Sequence, residues 1–150
     1  MALGVDGYWL PVKDGDPRAR ALYLRHYSQK RYVDGRRRTL FVGPAERMVL
    51  MTVDGAALFI WKAERIRHDG QTGINCSVFR NEGPVLSSLL VREADALASA
   101  RWPGERHFTY VNPGKIRSTN PGVCFIKAGW NRLKARSKGG LVILERMPPP

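Results

Sequence analysis

Apolar residues recur at helical spacing in three parts of the chain. Residues 84–100 carry a stripe of leucine and alanine, which predicts an amphipathic helix. Residues 17–27 repeat the pattern after Asp16, whose carboxylate suits an N-cap, and begin at Pro17, which suits the first helical position. A third, shorter helix is predicted over residues 121–128, where the following glycine ends it.

Strand patterns account for most of the remaining apolar positions. Residues 47–53 and 57–62 flank Asp54-Gly55, a dipeptide typical of a tight hairpin turn. Short or alternating apolar runs predict four further strands, at residues 73–79, 107–111, 130–133 and 141–145. Three segments are expected to be irregular: residues 1–15, the arginine-rich loop 29–38 and the proline-rich end 147–150.

The order of these elements predicts an α/β fold. A helix is followed by strands, then by two strand–helix units and a closing strand pair, which indicates a mixed, mostly antiparallel sheet flanked by helices. The chain has 150 residues and no internal repeat or linker, so we expect one domain.

Composition narrows the setting of the protein. No apolar run is long enough to cross a membrane, and the first residues include acids rather than a signal peptide's apolar core, so we expect a cytoplasmic protein with no membrane partner. Cys76 and Cys124 form neither a disulfide framework nor a zinc pattern, and we expect both to be buried thiols.

The charge is strongly positive and unevenly distributed. The formal net charge is +12. Residues 17–38 hold eight basic residues against one acid, residues 101–138 hold nine against one, and the stretch between them is nearly neutral. If the two basic segments converge on one face, they predict contact with nucleic acid. The alternative is a solvated basic surface that only keeps the protein soluble.

The turn after the strand at 73–79 is the strongest candidate for an anion site. It contains Gly83 and leads into the predicted helix 84–100. We expect bare backbone N–H groups there, at the positive end of the helix dipole, to hold an anion. The alternative is an ordinary connection between a strand and a helix.

The same turn resembles a known signature. Arg80-x-x-Gly83 after a strand is similar to the first half of the GNAT (N-acetyltransferase-like) motif, and residues 125–130 resemble the ending of that family; the likeness covers roughly residues 49–145. It implies a three-layer GNAT fold with acetyl-CoA or another anionic donor at the turn. The cofactor-binding residues it implies are Phe79, Arg80, Gly83, Val85, Ser87 and Ser88.

Two positions depart from the GNAT pattern. Val85 stands where a second glycine or alanine is usual, and Phe125 stands where a tyrosine commonly protonates the leaving thiolate. Phenylalanine cannot donate a proton. Both departures count against ordinary acetyl transfer from coenzyme A.

A narrower resemblance accommodates these departures. Residues 19–28 are similar to a helix-ending segment of Mom-type phage proteins, and residues 110–130 resemble the C-terminal half of such proteins. These GNAT relatives modify the exocyclic amine of adenine in DNA. The resemblance implies a phage- or bacterium-encoded enzyme in which His26, Tyr27 and Ser28 approach the active cleft.

Two further catalytic candidates end the strand at 107–111. Tyr110 offers a hydroxyl and Asn112 offers a paired donor and acceptor, and alternation places both on the same face. Asn112 precedes a proline and could equally be an ordinary turn opener, and His26 could simply cap a helix. No histidine spacing indicates a metal site, so the metal requirement is unknown.

The basic segments supply the candidates for nucleic-acid binding. We expect the phosphate contacts to come from Lys30, Arg31, Arg36, Arg37, Arg38, Lys115 and Arg117. An enzyme acting on a duplex base must extrude it, so stacking aromatics such as Tyr32 or Trp61 are expected nearby.

The leading hypothesis is therefore a transferase that modifies an exocyclic amine of a nucleic-acid base. Two rivals stay open: a conventional acetyl-CoA-dependent N-acetyltransferase for a small amine or peptide, and a non-catalytic basic protein that binds nucleic acid.

Overall fold

The computed structural model describes residues 7–25, 46–64, 69–115 and 122–148. Within them the chain forms seven strands, three α-helices and one 3-10 turn. The strands are β1 (Trp9–Val12), β2 (Glu46–Thr52), β3 (Ala57–Ala63), β4 (Ile74–Asn81), β5 (His107–Val111), β6 (Asn131–Arg132) and β7 (Val142–Arg146). The helices are α1 (Pro17–Leu24), α2 (Ser87–Arg101) and α3 (Val123–Lys127), and the 3-10 turn is Pro113–Lys115.

All seven strands belong to one sheet, in the order β1-β2-β3-β4-β5-β7-β6. Every neighbouring pair is antiparallel except β4 and β5, which are parallel because α2 crosses over between them. The predicted α/β class, with a mixed and mostly antiparallel sheet, is confirmed.

Helices cover both faces of the sheet, which gives three layers. On one face α1 buries Ala19, Leu22 and Tyr23 against β2, β3 and β4. On the other face α2 and α3 pack over a core that includes Trp61 and Trp130. No helix in the described part of the chain is both long and apolar enough to span a bilayer.

The start of α1 follows its sequence signal. Asp16 Oδ1 accepts hydrogen bonds from the N–H groups of Arg18 (3.0 Å) and Ala19 (3.2 Å), and Pro17 occupies the first position. This confirms the predicted N-terminus, because two otherwise unpaired donors are satisfied by one carboxylate. The helix ends at Leu24, three residues earlier than predicted, with Arg25 as its C-cap.

The expectation of an irregular N-terminus is wrong, because β1 lies within it. Trp9 pairs with Thr52, and its indole is fully buried and donates to the Leu90 carbonyl at 2.8 Å. The Glu93 carboxylate accepts from the Trp9 N–H at 2.9 Å. β1 is stabilised by contacts with α2, which lies more than 70 residues along the chain, so no local pattern indicates it.

Of the other predicted elements, β5 has the predicted bounds, and the rest are found with bounds shifted by one to three residues. The hairpin of β2 and β3 turns at Asp54-Gly55, where Gly55 has φ of +71°, as predicted. α2 begins at Ser87 rather than at Pro84, so the turn before it is longer than expected. That longer turn is the part of the fold that matters most for the candidate site.

Candidate functional site at the carboxyl ends of β4 and β5

The candidate site lies where β4 and β5 separate. The two parallel strands pair over only three residues each, 74–76 with 107–109. Beyond that point β4 stays paired with β3 and β5 stays paired with β7. Open α/β sheets bind ligands at the carboxyl ends of strands where the connections diverge. The separation therefore marks the end of the sheet at which this fold favours a ligand.

Asn81, the last residue of β4, organises the turn that follows. Its Nδ2 donates to the Val85 carbonyl at 2.7 Å and to Ser87 Oγ at 2.9 Å, and its Oδ1 accepts from the Gly83 N–H at 2.9 Å. One amide side chain thus closes the turn upon itself. Asn81 was not among the residues predicted for the site. Its position where β4 ends could have indicated this role, because an asparagine side chain commonly bonds to the backbone two residues later.

The expectation of bare amides around Gly83 is wrong. The Gly83 N–H donates to Asn81, and the Glu82 N–H donates to the Ala56 carbonyl at 2.8 Å. A Cβ added to Gly83 would lie 2.8 Å from the Cβ of Ala56. Glycine is therefore required here because the hairpin of β2 and β3 approaches closely, and a phosphate needs no part in that requirement.

Three charged side chains cover the outside of the turn. Arg25 donates from Nε and Nη2 to the two carboxylate oxygens of Glu82, at 2.8 and 2.9 Å. Arg80 donates from Nε to the same carboxylate and from Nη1 to the Arg25 carbonyl. The hydrogen bonds from Arg25 and then Arg80 lower the pKa of Glu82 to about 2. The sequence predicted that Arg80 helps to hold an anion at the amides around Gly83. In the structure its guanidinium instead bonds to the carboxylate of Glu82.

Backbone donors do remain at the start of α2. Leu86 is the N-cap residue and supplies no side-chain hydrogen bond. Leu89 and Leu90 donate to the Leu86 carbonyl, whereas the N–H groups of Ser87 and Ser88 have no acceptor within the described residues. Unpaired N–H groups at a helix N-terminus attract anions. Two of the residues expected to bind a cofactor, Ser87 and Ser88, thus carry donors that a ligand could use.

The apolar members of the expected cofactor site belong to the core around it. Phe79 is half-buried and lies edge-on to Phe125, with ring centroids 5.9 Å apart. Val85 packs against the same cluster. These side chains form the apolar wall behind the turn.

The catalytic candidates of β5 are both engaged in local contacts. The Tyr110 hydroxyl donates to Asp69 Oδ2 at 2.7 Å, which ties the end of β5 to the segment before β4. Asn112 Oδ1 accepts from the Gly114 N–H at 3.0 Å. Asn112 thus opens a turn, which was the alternative to a catalytic role in the sequence analysis. Tyr110 could donate its proton to a substrate only after its hydrogen bond to Asp69 is broken.

Most of the other expected site residues lie outside the described residues. These are His26, Tyr27, Ser28, Lys30, Arg31, Arg36, Arg37, Arg38 and Arg117, together with Tyr32. Lys115 ends the 3-10 turn, and only its backbone is described. The described chain reaches the Glu82 turn at Arg25, the residue immediately before His26. Trp61 is fully buried between Phe59 and His107, so its expected role in stacking on a base is wrong.

The described parts of the two basic segments do not all meet. Arg25 lies at the carboxyl end of β4, whereas Arg101 bonds to Glu46 and to the Arg47 carbonyl at the opposite end of the sheet. Arg106, just before β5, is also at that end and pairs with Glu145 at 2.6 Å. For Arg101 and Arg106 the expectation of one shared basic face is wrong, because both are used in ion pairs that fix neighbouring strands.

Neither cysteine has the chemistry of a nucleophile. Burial raises the pKa of the Cys76 thiol far above its usual range, and it raises the pKa of Cys124 to about 11. The thiolate is the reactive form. Both side chains are therefore protonated at neutral pH, and the expectation of buried, quiet thiols is confirmed for Cys76 and largely so for half-buried Cys124.

Sequence reasoning also missed a buried polar network around Asp95. Asp95 accepts from Trp130 Nε1 at 2.8 Å, and its other oxygen lies 2.9 Å from His107 Nδ1. Asp95 is 2% exposed and His107 is fully buried, with its Nε2 unpaired among the described residues. The one available signal was an acid within the apolar stripe of a predicted helix.

One cavity lies away from the candidate turn. It measures about 460 Å³ near the amino end of β4 and is lined in part by Glu46, Glu64, Glu105 and Trp102. Within the described segments, no group of three or more histidine, cysteine or acidic side chains is placed to hold a metal ion.

Comparison with known proteins adds no family to this geometry. No family model matches the chain, and no curated protein or solved structure is significantly similar to it. The function must therefore be argued from the residues themselves.

Proposed function

We propose that this chain is a GNAT-like transferase that modifies an exocyclic amine of a base in DNA. The observation that carries the proposal is the end of the sheet where β4 and β5 separate and β4 leads into the uncapped N-terminus of α2. The mixed sheet with helices on both faces agrees with the fold that the sequence resemblance implies.

The donor is proposed to bind through an anionic group at the start of α2. The N–H groups of Ser87 and Ser88 have no acceptor among the described residues, and the helix dipole adds to their partial positive charge. Arg25 and Arg80 lie at the Glu82 carboxylate of the same turn, on the side of the sheet that α1 covers. An incoming anion would compete with Glu82 for these two guanidinium groups, and Gly83 itself would contribute no donor.

The transfer step needs little from the protein beyond positioning and proton removal. The amine nitrogen forms a bond to the carbon of the transferred group, while the bond between that carbon and its anionic carrier breaks. The carrier leaves with the bonding electron pair, and the amine proton passes to a base. His26, which follows Arg25 directly, is the sequence candidate for that base.

The positive surface favours a nucleic-acid substrate over a small amine. The chain carries 25 basic residues against 13 acidic ones, and a net charge of +12 attracts polyanions over long distances. The departures at Val85 and Phe125, together with the occupied amide of Gly83, argue against the standard pyrophosphate grip of acetyl-CoA.

The proposal is tested with purified protein, duplex DNA and a deproteinised cell extract as the source of donor. Digested DNA should contain a nucleoside with added mass on an amine-bearing base. Arg25→Gln/Arg80→Gln should lower the yield at least about tenfold, since a charged hydrogen bond contributes about 1.5–3 kcal/mol. Lys13→Gln/Lys62→Gln removes the same charge near the amino end of β4, at the opposite end of the sheet from the turn, and should keep the yield.

The two rivals give different results in the same system. Micromolar binding of acetyl-CoA in calorimetry, with acetylation of small amines and none of DNA, would favour the conventional acetyltransferase. For the non-catalytic protein, no nucleoside would change mass, and His26→Gln/Asn112→Ala would leave DNA binding and its biological effect intact.

A further inference from the structure

The β6–β7 hairpin is the least neutralised basic element of the described chain. Its connecting segment, residues 133–141, and the strand before it carry four exposed cations: Arg132, Lys134, Arg136 and Lys138. The sequence contains no acidic residue between Glu105 and Glu145. The first carboxylate that follows these cations along the chain is that of Glu145, the fourth residue of β7, and it pairs with Arg106.

The hairpin holds its cations on a defined backbone. The Leu133 N–H donates to the Ile143 carbonyl at 2.9 Å, and the Gly140 N–H donates to the Ser137 carbonyl at 2.9 Å. Ser137 Oγ accepts from the Leu141 N–H at 3.0 Å, and Gly140 adopts φ of +80°. A preformed arrangement of charges loses less entropy on binding than a mobile one.

The cations of the hairpin differ from other arginines of the protein in their ion pairing. Arg25, Arg80, Arg101 and Arg106 all form ion pairs with glutamates. Within the described residues, Lys134, Arg136 and Lys138 form no ion pair. Their charge is therefore directed to solvent and available to an external anion.

The neighbouring helices extend the positive surface. α3 packs against β6, and the exposed Arg92 of α2 donates from Nη2 to the Lys127 carbonyl of α3 at 3.2 Å. This bond places the Arg92 guanidinium at the end of α3, where Lys127 is also exposed. We call the six residues together the hairpin surface: Arg92, Lys127, Arg132, Lys134, Arg136 and Lys138.

We propose that the hairpin surface binds the sugar-phosphate backbone of duplex DNA. That the duplex is DNA rather than RNA rests on the proposed function. That the contact is with phosphates rather than with bases rests on the residues of the hairpin surface. Residues 131–146 expose no large hydrophobic side chain, while α2 and α3 each expose one, Leu89 and Ile126. Unpaired bases are bound by stacking on aromatic side chains, and membranes are bound by apolar side chains set among basic ones. Several unpaired cations on a preformed hairpin match a row of phosphates.

The test compares two double variants that lose the same charges. Arg136→Gln/Lys138→Gln acts on the hairpin, and Lys13→Gln/Arg47→Gln acts on the β1–β2 edge, at the other side of the sheet. Binding of a labelled duplex DNA is followed by fluorescence anisotropy over a salt series, with no donor present. Thermal unfolding of each variant checks that the fold is kept.

The hairpin variant should bind about tenfold more weakly at low salt, and its slope of log affinity against log salt should be less steep by about 2, since each lost phosphate contact contributes about 0.9. The control should change less than twofold. Equal weakening of both variants, no binding by the wild-type protein, or tighter binding of single strands or duplex RNA would overturn the proposal. Intact hairpin-dependent binding without base modification would instead overturn only the proposed function.

Discussion

Two ionic networks in this protein use the same kinds of side chain in opposite surroundings. The Asp95 network lies in the core, where His107 and Trp130 each contact one carboxylate oxygen among aromatic rings, and the partly exposed Arg146 reaches Asp95 Oδ2 at 3.7 Å. The Glu82 network lies on the surface, where both arginines are at least a third exposed. The first is held by packing, whereas the second can exchange its carboxylate for another anion.

The difference shows that a well-connected hydrogen-bond network is not by itself evidence of a functional site. The Nε2 of His107 has no hydrogen-bond partner among the described residues, which is a feature often taken to mark a catalytic group, but His107 is fully buried. Buried polar networks of this kind fix the packing of a core. The Glu82 network belongs to the turn that leads into α2, where the N–H groups of Ser87 and Ser88 have no acceptor among the described residues, and its two arginines are exposed enough to meet a ligand.

The largest effect is expected from Asp95→Ala. The substitution leaves His107 Nδ1 and Trp130 Nε1 without a partner in the core and should lower the free energy of unfolding by about 3–5 kcal/mol, as for other broken buried pairs. Urea unfolding measures it. Glu105→Ala, which removes an exposed carboxylate, should change stability by less than about 0.5 kcal/mol. A small loss for Asp95→Ala would contradict the contrast between the two networks.

A smaller effect is expected from Gly83→Ala. The new methyl group would meet Ala56, and overpacking of this kind costs about 1–3 kcal/mol. Ala56→Gly in the same chain should recover part of that loss, because it removes the atom that clashes. If the double variant is no more stable than Gly83→Ala alone, the glycine is there for a reason other than the approach of the hairpin.

The smallest effect is expected from Glu82→Gln, and it depends on pH. Because the folded protein holds the pKa of Glu82 at about 2, its ionised form stabilises the fold above about pH 5. That contribution is lost as the pH falls from about 5 towards 2. In the variant this part of the acid dependence should disappear, while stability at pH 7 changes by at most about 1 kcal/mol.

Unfolding in urea at pH 7 and pH 3.5 measures the difference, with Glu105→Gln as the control for an exposed glutamate. The same variant should bind an anion such as pyrophosphate more tightly than the wild-type protein, because Arg25 and Arg80 no longer have a carboxylate between them. Unchanged acid dependence would show that the Glu82 pairs do not persist in solution.

Local signals in the sequence were sufficient for much of the fold. Asp16 before Pro17 marks the start of α1, Asp54-Gly55 marks a hairpin, and the apolar run at His107–Val111 gives β5 with the predicted bounds. Each of these features is decided by residues within a few positions of one another. The α/β fold class and its layers follow from the order of the helices and strands along the chain.

The site was harder to predict because its contacts are long-range or depend on one unremarkable residue. Arg25 and Glu82 meet across 57 positions of sequence, and no local pattern pairs them. The glycine motif correctly indicated a tight turn after β4. It could not show that Asn81 and Ala56 already occupy the amides of that turn, which moves the candidate anion position on to Ser87 and Ser88.

The central claim is tested most directly by mass spectrometry of nucleosides from DNA of cells that express the protein. We expect a nucleoside with added mass on an exocyclic amine in cells with wild-type protein. Its amount should be strongly reduced in cells with Arg25→Gln/Arg80→Gln at an equal protein level. Unmodified nucleosides in cells with wild-type protein, or an undiminished adduct with the double variant, would contradict it.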